Sequence, residues 1–235
     1  MQHVIIIPAF QPDSTLIESL VHELRARGFH RILVVDDGSG ASYQELFDKL
    51  EQNACRVVHH EVNHGRGAAL KTGIRFAREL WPEAPGVVCV DANAQHRAAD
   101  VMHVACLARI HADSLVLGTD TQLGIRPSAA RGEQDVAQLC DAHTGLIAIP
   151  ASRYQTAVDC TPDRFDWTQA LIHACADTET PLRSMPVRAT RAVARHNERR
   201  DWRARLHAVS TSLQLIALFW ADASADASVV APARG

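Results

Sequence analysis

Acids, glycines and histidines sit directly after apolar runs in this sequence. Asp36 and Asp37 follow ILVV and lead into Gly38. Asp91 closes VVCV and is followed at two-residue steps by Asn93 and Gln95, then by His96. A carboxylate at the end of a buried strand is normally presented to something, because an unpaired buried charge is costly. Asn63-His64-Gly65-Arg66-Gly67 joins glycines to a cation, although Gly-Arg-Gly alone is a weak phosphate signal. Asp36-Asp37-Gly38 read alone is equally a turn. His59, His60 and His64 invite a zinc reading, but their spacing matches no recognised zinc pattern, and a strand sets His59 and His60 on opposite faces.

The elements that must position these residues alternate. HVIIIP predicts a buried strand over residues 3–8, stopping at Pro8. A helix follows over 14–28, with Thr15 and Glu18 at capping-box spacing and Gly28 at its C-cap. RILVVDD and the shorter CRVVHH predict two more strands. HGRGAALKTGIRFARELW becomes a helix closed by Pro82, and GVVCVDA is a strand followed by a helix through 98–110. SLVLGTD is a fifth strand. Such alternation means βαβ units and a mostly parallel sheet covered on both faces. Ligands of such sheets bind beyond the carboxyl ends of the strands. Pro8–Ala9, Asp36–Asp37, Asn63–Gly67 and Asp91–His96 all fall there, which argues for one shared site.

After residue 119 the rhythm changes. TQLGIRPSAARGEQ reads as a loop, CDAHTGLIAIP holds a short strand, RFDWTQALIHACADT is helical and PLRSMPV is a strand. RATRAVARHNERR is a basic loop, and residues 201–220 form a long amphipathic helix. The Ala/Ser/Asp-rich tail from 221 to 235 reads as disordered.

Bulk composition fits a soluble globular protein. Of the 235 residues, 47% are hydrophobic and 22% charged, enough for one large α/β domain. A net charge of −3 gives no pull toward nucleic acid. The six cysteines are scattered singly, no secretory leader follows Met1, and LQLIALFW is too short for a membrane span. The expectation is a cytoplasmic protein. The arginine-rich run 188–205 ahead of an apolar helix face suits a peripheral place on the inner face of the membrane. The apolar stripe at 202–220 suits a core or a homodimer seam.

IIIPAFQPDSTLIESLVHEL, ILVVDDGSG, VNHGRGAALKTGI, VVCVDANAQHRAADV, LVLGTD and DAHTGLIAIP occur in the order and rough spacing of family 2 glycosyltransferases. The subgroup the chain most resembles is the dolichyl- or polyprenyl-phosphate sugar transferases, over about residues 3–150 and more loosely to about 205. The resemblance implies a single GT-A domain over 1–220, its nucleotide part at 1–118 and its acceptor part at 119–220. It implies a nucleoside-diphosphate sugar, a sugar or lipid-phosphate acceptor, and Mg²⁺ or Mn²⁺ on the diphosphate. Pro8 and Ala9 would lie beside the nucleotide, and Asp36 and Asp37 would bind base and ribose. Asn63, Gly65, Arg66 and Gly67 would meet the diphosphate. Asp91, Asn93 and Gln95 would face the metal. Asp141, His143 and Asp166 are the candidate bases, and Arg195, His196 and Arg199 would serve the acceptor or its phosphate.

The sequence departs from the family pattern on the metal and acceptor side. Asn93 stands where the D-x-D motif has its second acid, so metal affinity should fall. Gly118-Thr119-Asp120 replaces G-x-R, and His143 and Ile147 replace a glutamine and a basic residue. Two readings stand: an active inverting transferase, or a degenerate GT-A protein that binds a nucleotide sugar or a partner without turnover. A sugar nucleotidyltransferase would need a glycine-rich basic loop after the first strand, and PAFQPDS has neither feature.

Overall fold

A computed structural model describes residues 2–93, 96–120, 129–130, 143–164 and 166–188. They belong to one compact unit, Met1–Ala192. The expectations for Gln95, Asp141, Arg195, His196, Arg199, the basic loop, the long C-terminal helix and the tail lie outside the described residues.

An eight-stranded sheet forms the centre, in the order β3-β2-β1-β4-β7-β5-β8-β6. Its strands are β1 (Val4–Ala9), β2 (Ile32–Asp36), β3 (Arg56–His59), β4 (Gly86–Cys89), β5 (Leu115–Asp120), β6 (Ala129–Ala130), β7 (His143–Pro150) and β8 (Leu182–Val187). β1 pairs in parallel with β2 and β4, β2 with β3, and β5 with β8. β7 runs antiparallel between β4 and β5, and β6 antiparallel on β8. The two-residue β6 corrects the reading of 121–134 as loop throughout.

The helices are α1 (Ser14–Ala26), α2 (Gln44–Gln52), α3 (Arg66–Leu80), α4 (Ala98–Ile110), α5 (Tyr154–Asp159) and α6 (Trp167–Asp177). They divide between the two faces because strand side chains alternate. Ile5 and Ile7 of β1 join Ile17, Leu24, Phe47 and Val104 of α1, α2 and α4. Val4 and Ile6 join Leu70, Ile74, Trp167 and Leu171 of α3 and α6. Each fully buried aliphatic side chain contributes about 1.5–3 kcal/mol relative to exposure. Gly73 lets α3 lie close to β1: a Cβ there would stand 2.6 Å from Cγ2 of Ile6.

Three local details position the site. β1 runs through Pro8 to Ala9, one residue beyond the expected stop. Its register with β4 ends at Ile6, so Pro8, which has no N–H to donate, lies where the two strands have parted. α1 begins on Asp13, whose Oδ1 accepts the Leu16 N–H at 3.1 Å, so Asp13 is the N-cap and the Thr15–Glu18 box is not. The helix ends as expected at Gly28: its φ is +83°, its N–H donates to Arg25 O, and Phe29 N–H donates to Leu24 O. Among the described residues no helix is long and apolar enough to cross a membrane.

Candidate functional site: the strand ends

The carboxyl ends of β1, β2, β3 and β4 lie side by side, which is where such sheets form a ligand crevice. Asp37 N–H donates to Ala9 O at 2.8 Å, and Gln11 N–H donates to the Ser39 hydroxyl at 2.9 Å, so the turns after β1 and β2 lock together. Gly38 has φ +76°, and a Cβ there would lie 2.5 Å from Val62 C, so only glycine fits between the β2 turn and the loop after β3.

The two acids after β2 hold internal partners. Asp36, 5% exposed, accepts the Ser39 N–H on Oδ1 and meets Nδ1 of His59 through Oδ2, both at 2.9 Å. The register opposes Asp36 to His59, which explains the pairing. Asp37, 3% exposed, meets Nδ1 of His60 at 2.8 Å and accepts the N–H groups of His64 at 3.0 Å and Gly65 at 2.8 Å. Nε2 of His60 reaches the Thr72 hydroxyl at 3.0 Å. His59 and His60 thus serve as partners of consecutive acids, and among the described residues no three His, Cys, Asp or Glu gather as a metal cluster. Asp37 also places negative charge at the N-terminus of α3, where the helix dipole favours it.

Gly65 and Gly67 admit the close approach of the segment ahead of α6. Ala68 N–H donates to Asp163 O at 2.9 Å, and a Cβ on Gly67 would lie 2.7 Å from both that oxygen and Cβ of Trp167. The buried Lys71 ammonium pairs with the Asp163 carboxylate from the same side. The indole N–H of Trp167, fully buried, donates to Ala157 O at 2.9 Å. The segment ahead of α6 is therefore fastened to the glycine loop, and α6 begins beside Arg66.

Arg66 and Asp91 meet here. Nε of Arg66 donates to Oδ1 of Asp91 at 2.7 Å, with side chains 10% and 18% exposed. Nη1 donates to the Thr168 hydroxyl and Nη2 to Gly145 O, each at 3.0 Å. Gly145, at φ +89°, lies so close that a Cβ would stand 2.5 Å from Oδ2 of Asp91. At the end of β4, two residues before Asp91, burial pushes the Cys89 thiol up to about 12, which keeps it protonated and unsuited to act as a nucleophile.

Of the expected site residues, Pro8, Ala9, Asp36, Asp37, Gly65, Arg66, Gly67 and Asp91 line or brace this crevice. Asn63 is exposed on the loop and Asn93 half-buried just past Asp91. Asp166 is exposed at the start of α6, and its side chain forms no capping bond there. His143 begins β7 opposite Thr119. Ile147 is fully buried between β4 and β5, so it fills a core position. Sequence reading missed Thr168 and the Lys71–Asp163 pair, whose partners lie 102 and 92 residues away with no local pattern to mark them.

A divalent cation takes several oxygen ligands, carboxylates foremost. At this strand end Asp91 supplies a single carboxylate, with Arg66 on one oxygen and Gly145 packed against the other. In this arrangement the described residues do not fit a divalent cation.

Residues 4–118 match the sequence model of Glycosyl transferase family 2. This segment belongs to glycosyl transferase family 2. Among curated relatives, an uncharacterized protein of Methanocaldococcus jannaschii is 36% identical, over 43% of this chain and 39% of its own. The UDP-N-acetylglucosamine–dolichyl-phosphate N-acetylglucosaminyltransferase of Methanococcus voltae is 30% identical, over 43% of this chain and 44% of its own. The chain thus spans about two-fifths of the length of these relatives. Glucosyl-3-phosphoglycerate synthase from Mycobacterium tuberculosis, solved with Mn²⁺, UDP and glucosyl-3-phosphoglycerate, superposes with a TM-score of 0.53. The identity is 14%, over 80% of this chain and 71% of that one. That likeness shows the fold: the family 2 segment opens a GT-A sheet.

Proposed function

We propose that this protein moves a sugar from a nucleoside-diphosphate sugar to an acceptor, with inversion at the anomeric carbon. The observation that carries the reading is the convergence of Asp36, Asp37, the Gly65–Gly67 loop and Asp91 on one crevice inside the family 2 segment. Pro8 and Ala9 would floor the nucleotide. Asp36 and Asp37 would offer base and ribose their unused lone pairs, since each carboxylate oxygen can accept twice. Arg66 and the glycine loop would face the diphosphate.

The acceptor oxygen attacks the anomeric carbon while the bond to the diphosphate breaks, and the electron pair leaves with the nucleoside diphosphate. A lipid phosphate is already an anion and needs no strong base. This acceptor class, suggested by the name of the Methanococcus voltae relative, would bring the protein to the inner face of the membrane. An alcohol acceptor would give its proton to Asp141, His143 or Asp166. Of these, Asp166 has its carboxylate exposed two residues ahead of Thr168. Arg195, His196 and Arg199 would serve the acceptor side.

The loss of the second acid at Asn93 favours a second reading, in which the nucleotide sugar binds without turnover. Release of nucleoside diphosphate from UDP- and GDP-sugars, with polyprenyl phosphate as acceptor, separates the two. The first predicts release that Asp91→Ala abolishes, because Arg66 then loses the carboxylate that holds its guanidinium in place. Binding without release supports the second, and neither binding nor release sinks both.

A further inference from the structure

We infer that Arg66 supplies the positive charge at the leaving diphosphate, and that nucleoside-diphosphate binding here does not depend on a divalent cation. The inference rests on the glycosyl-transfer reading of the same crevice.

The first argument is charge. Asp91-Ala92-Asn93-Ala94-Gln95 carries one acid, and Arg66 neutralises it at 2.7 Å. A dication added there would meet a guanidinium in a site where both side chains are largely removed from water, and the repulsion would be weakly screened. The second is space. Nε of Arg66 occupies one lone pair of Oδ1 of Asp91, and Gly145 approaches Oδ2 so closely that a Cβ there would stand 2.5 Å from it. A cation using this carboxylate would have to share it with Arg66 and fit beside the start of β7.

The third argument is preorganisation. The guanidinium is held by Asp91 just past β4, by Gly145 O of β7 and by Thr168 of α6. Three of its five N–H groups bind these partners, and among the described residues the other two meet no acceptor and would serve diphosphate oxygens. Arginine matches phosphate through paired N–H bonds and stays charged at every working pH. A fixed cation aimed at the developing charge performs the electrostatic task of a metal without needing a ligand cage.

Calorimetry with UDP and GDP, in manganese chloride and in EDTA, tests this. The expected result is the same affinity in both within about threefold, with Arg66→Lys weakening it at least about tenfold by losing the forked contacts. Arg66→Lys keeps a cation beside Asp91, and its melting curve controls for folding. A second variant, Asn93→Asp, restores an acid without touching Arg66. Manganese titration followed by electron paramagnetic resonance should detect a bound ion in Asn93→Asp and none in the wild type. Nucleotide binding only with manganese, or equal manganese binding by wild type and Asn93→Asp, overturns the inference but leaves the glycosyl-transfer reading intact. No nucleotide binding under either condition overturns that reading as well.

Discussion

Oδ2 of Asp37 accepts the backbone N–H of Gly65 at 2.8 Å, so the acid just past β2 fixes the loop that opens α3. Asp37→Asn keeps the shape but turns one acceptor into a donor, leaving a nitrogen to face either His60 and the His64 N–H or the Gly65 N–H. The expected cost is about 1.5–3 kcal/mol in urea unfolding. The His64 and Gly65 amides should also exchange faster with deuterium. Unchanged exchange would show that the loop is held by something else.

Gly67→Ala should disturb both stability and site. The new methyl would press on the Asp163 main chain and on Trp167, so the segment that delivers Thr168 to Arg66 must move. About 1–3 kcal/mol of destabilisation is expected, with weaker nucleotide binding. Alanine at Ala68, one residue on, already fits, so a general helix effect is not the explanation.

Burial holds the His3 imidazole near a pKa of about 4, below the usual 6.5, with Arg109 and the N-terminal amine adding to the effect. The folded state keeps His3 neutral while the unfolded chain protonates near pH 6.5. Its contribution is therefore whole above pH 6.5 and is lost as pH falls toward 4, by at most about 3 kcal/mol. His3→Asn should flatten the stability profile in that window, measured by urea unfolding at stepped pH. Parallel profiles for the two proteins would refute the assignment.

Burial raises the thiols of Cys55 and Cys175 to about 11 and that of Cys89 to about 12. Iodoacetamide at pH 8 should modify the half-exposed Cys106 well before Cys89, as read by peptide mass spectrometry. Early labelling of Cys89 would mean that the crevice beside Asp91 opens readily.

Much of the fold was legible because its signals are local. The buried strand runs, the glycine stop at Gly28 and the helix over 98–110 are written in neighbouring residues, and each forms as expected. The cap of α1 was misassigned where two local signals competed, Asp13 against Thr15. The short α2 and α5 went unread because each offers too few turns for a clear period.

The sequence by itself determined the alternating α/β order, the strand-end position of the acids and glycines, and the missing second acid at Asn93. Only the tertiary structure decided their partners. β7 enters antiparallel between β4 and β5, which brings Gly145 against Asp91. Arg66 finds Asp91 across 25 residues and Thr168 across 102. Periodicity and propensity report only a residue's chain neighbours. Which charges meet across the crevice is set by strand register and by the packing of α3 and α6 on one face of the sheet.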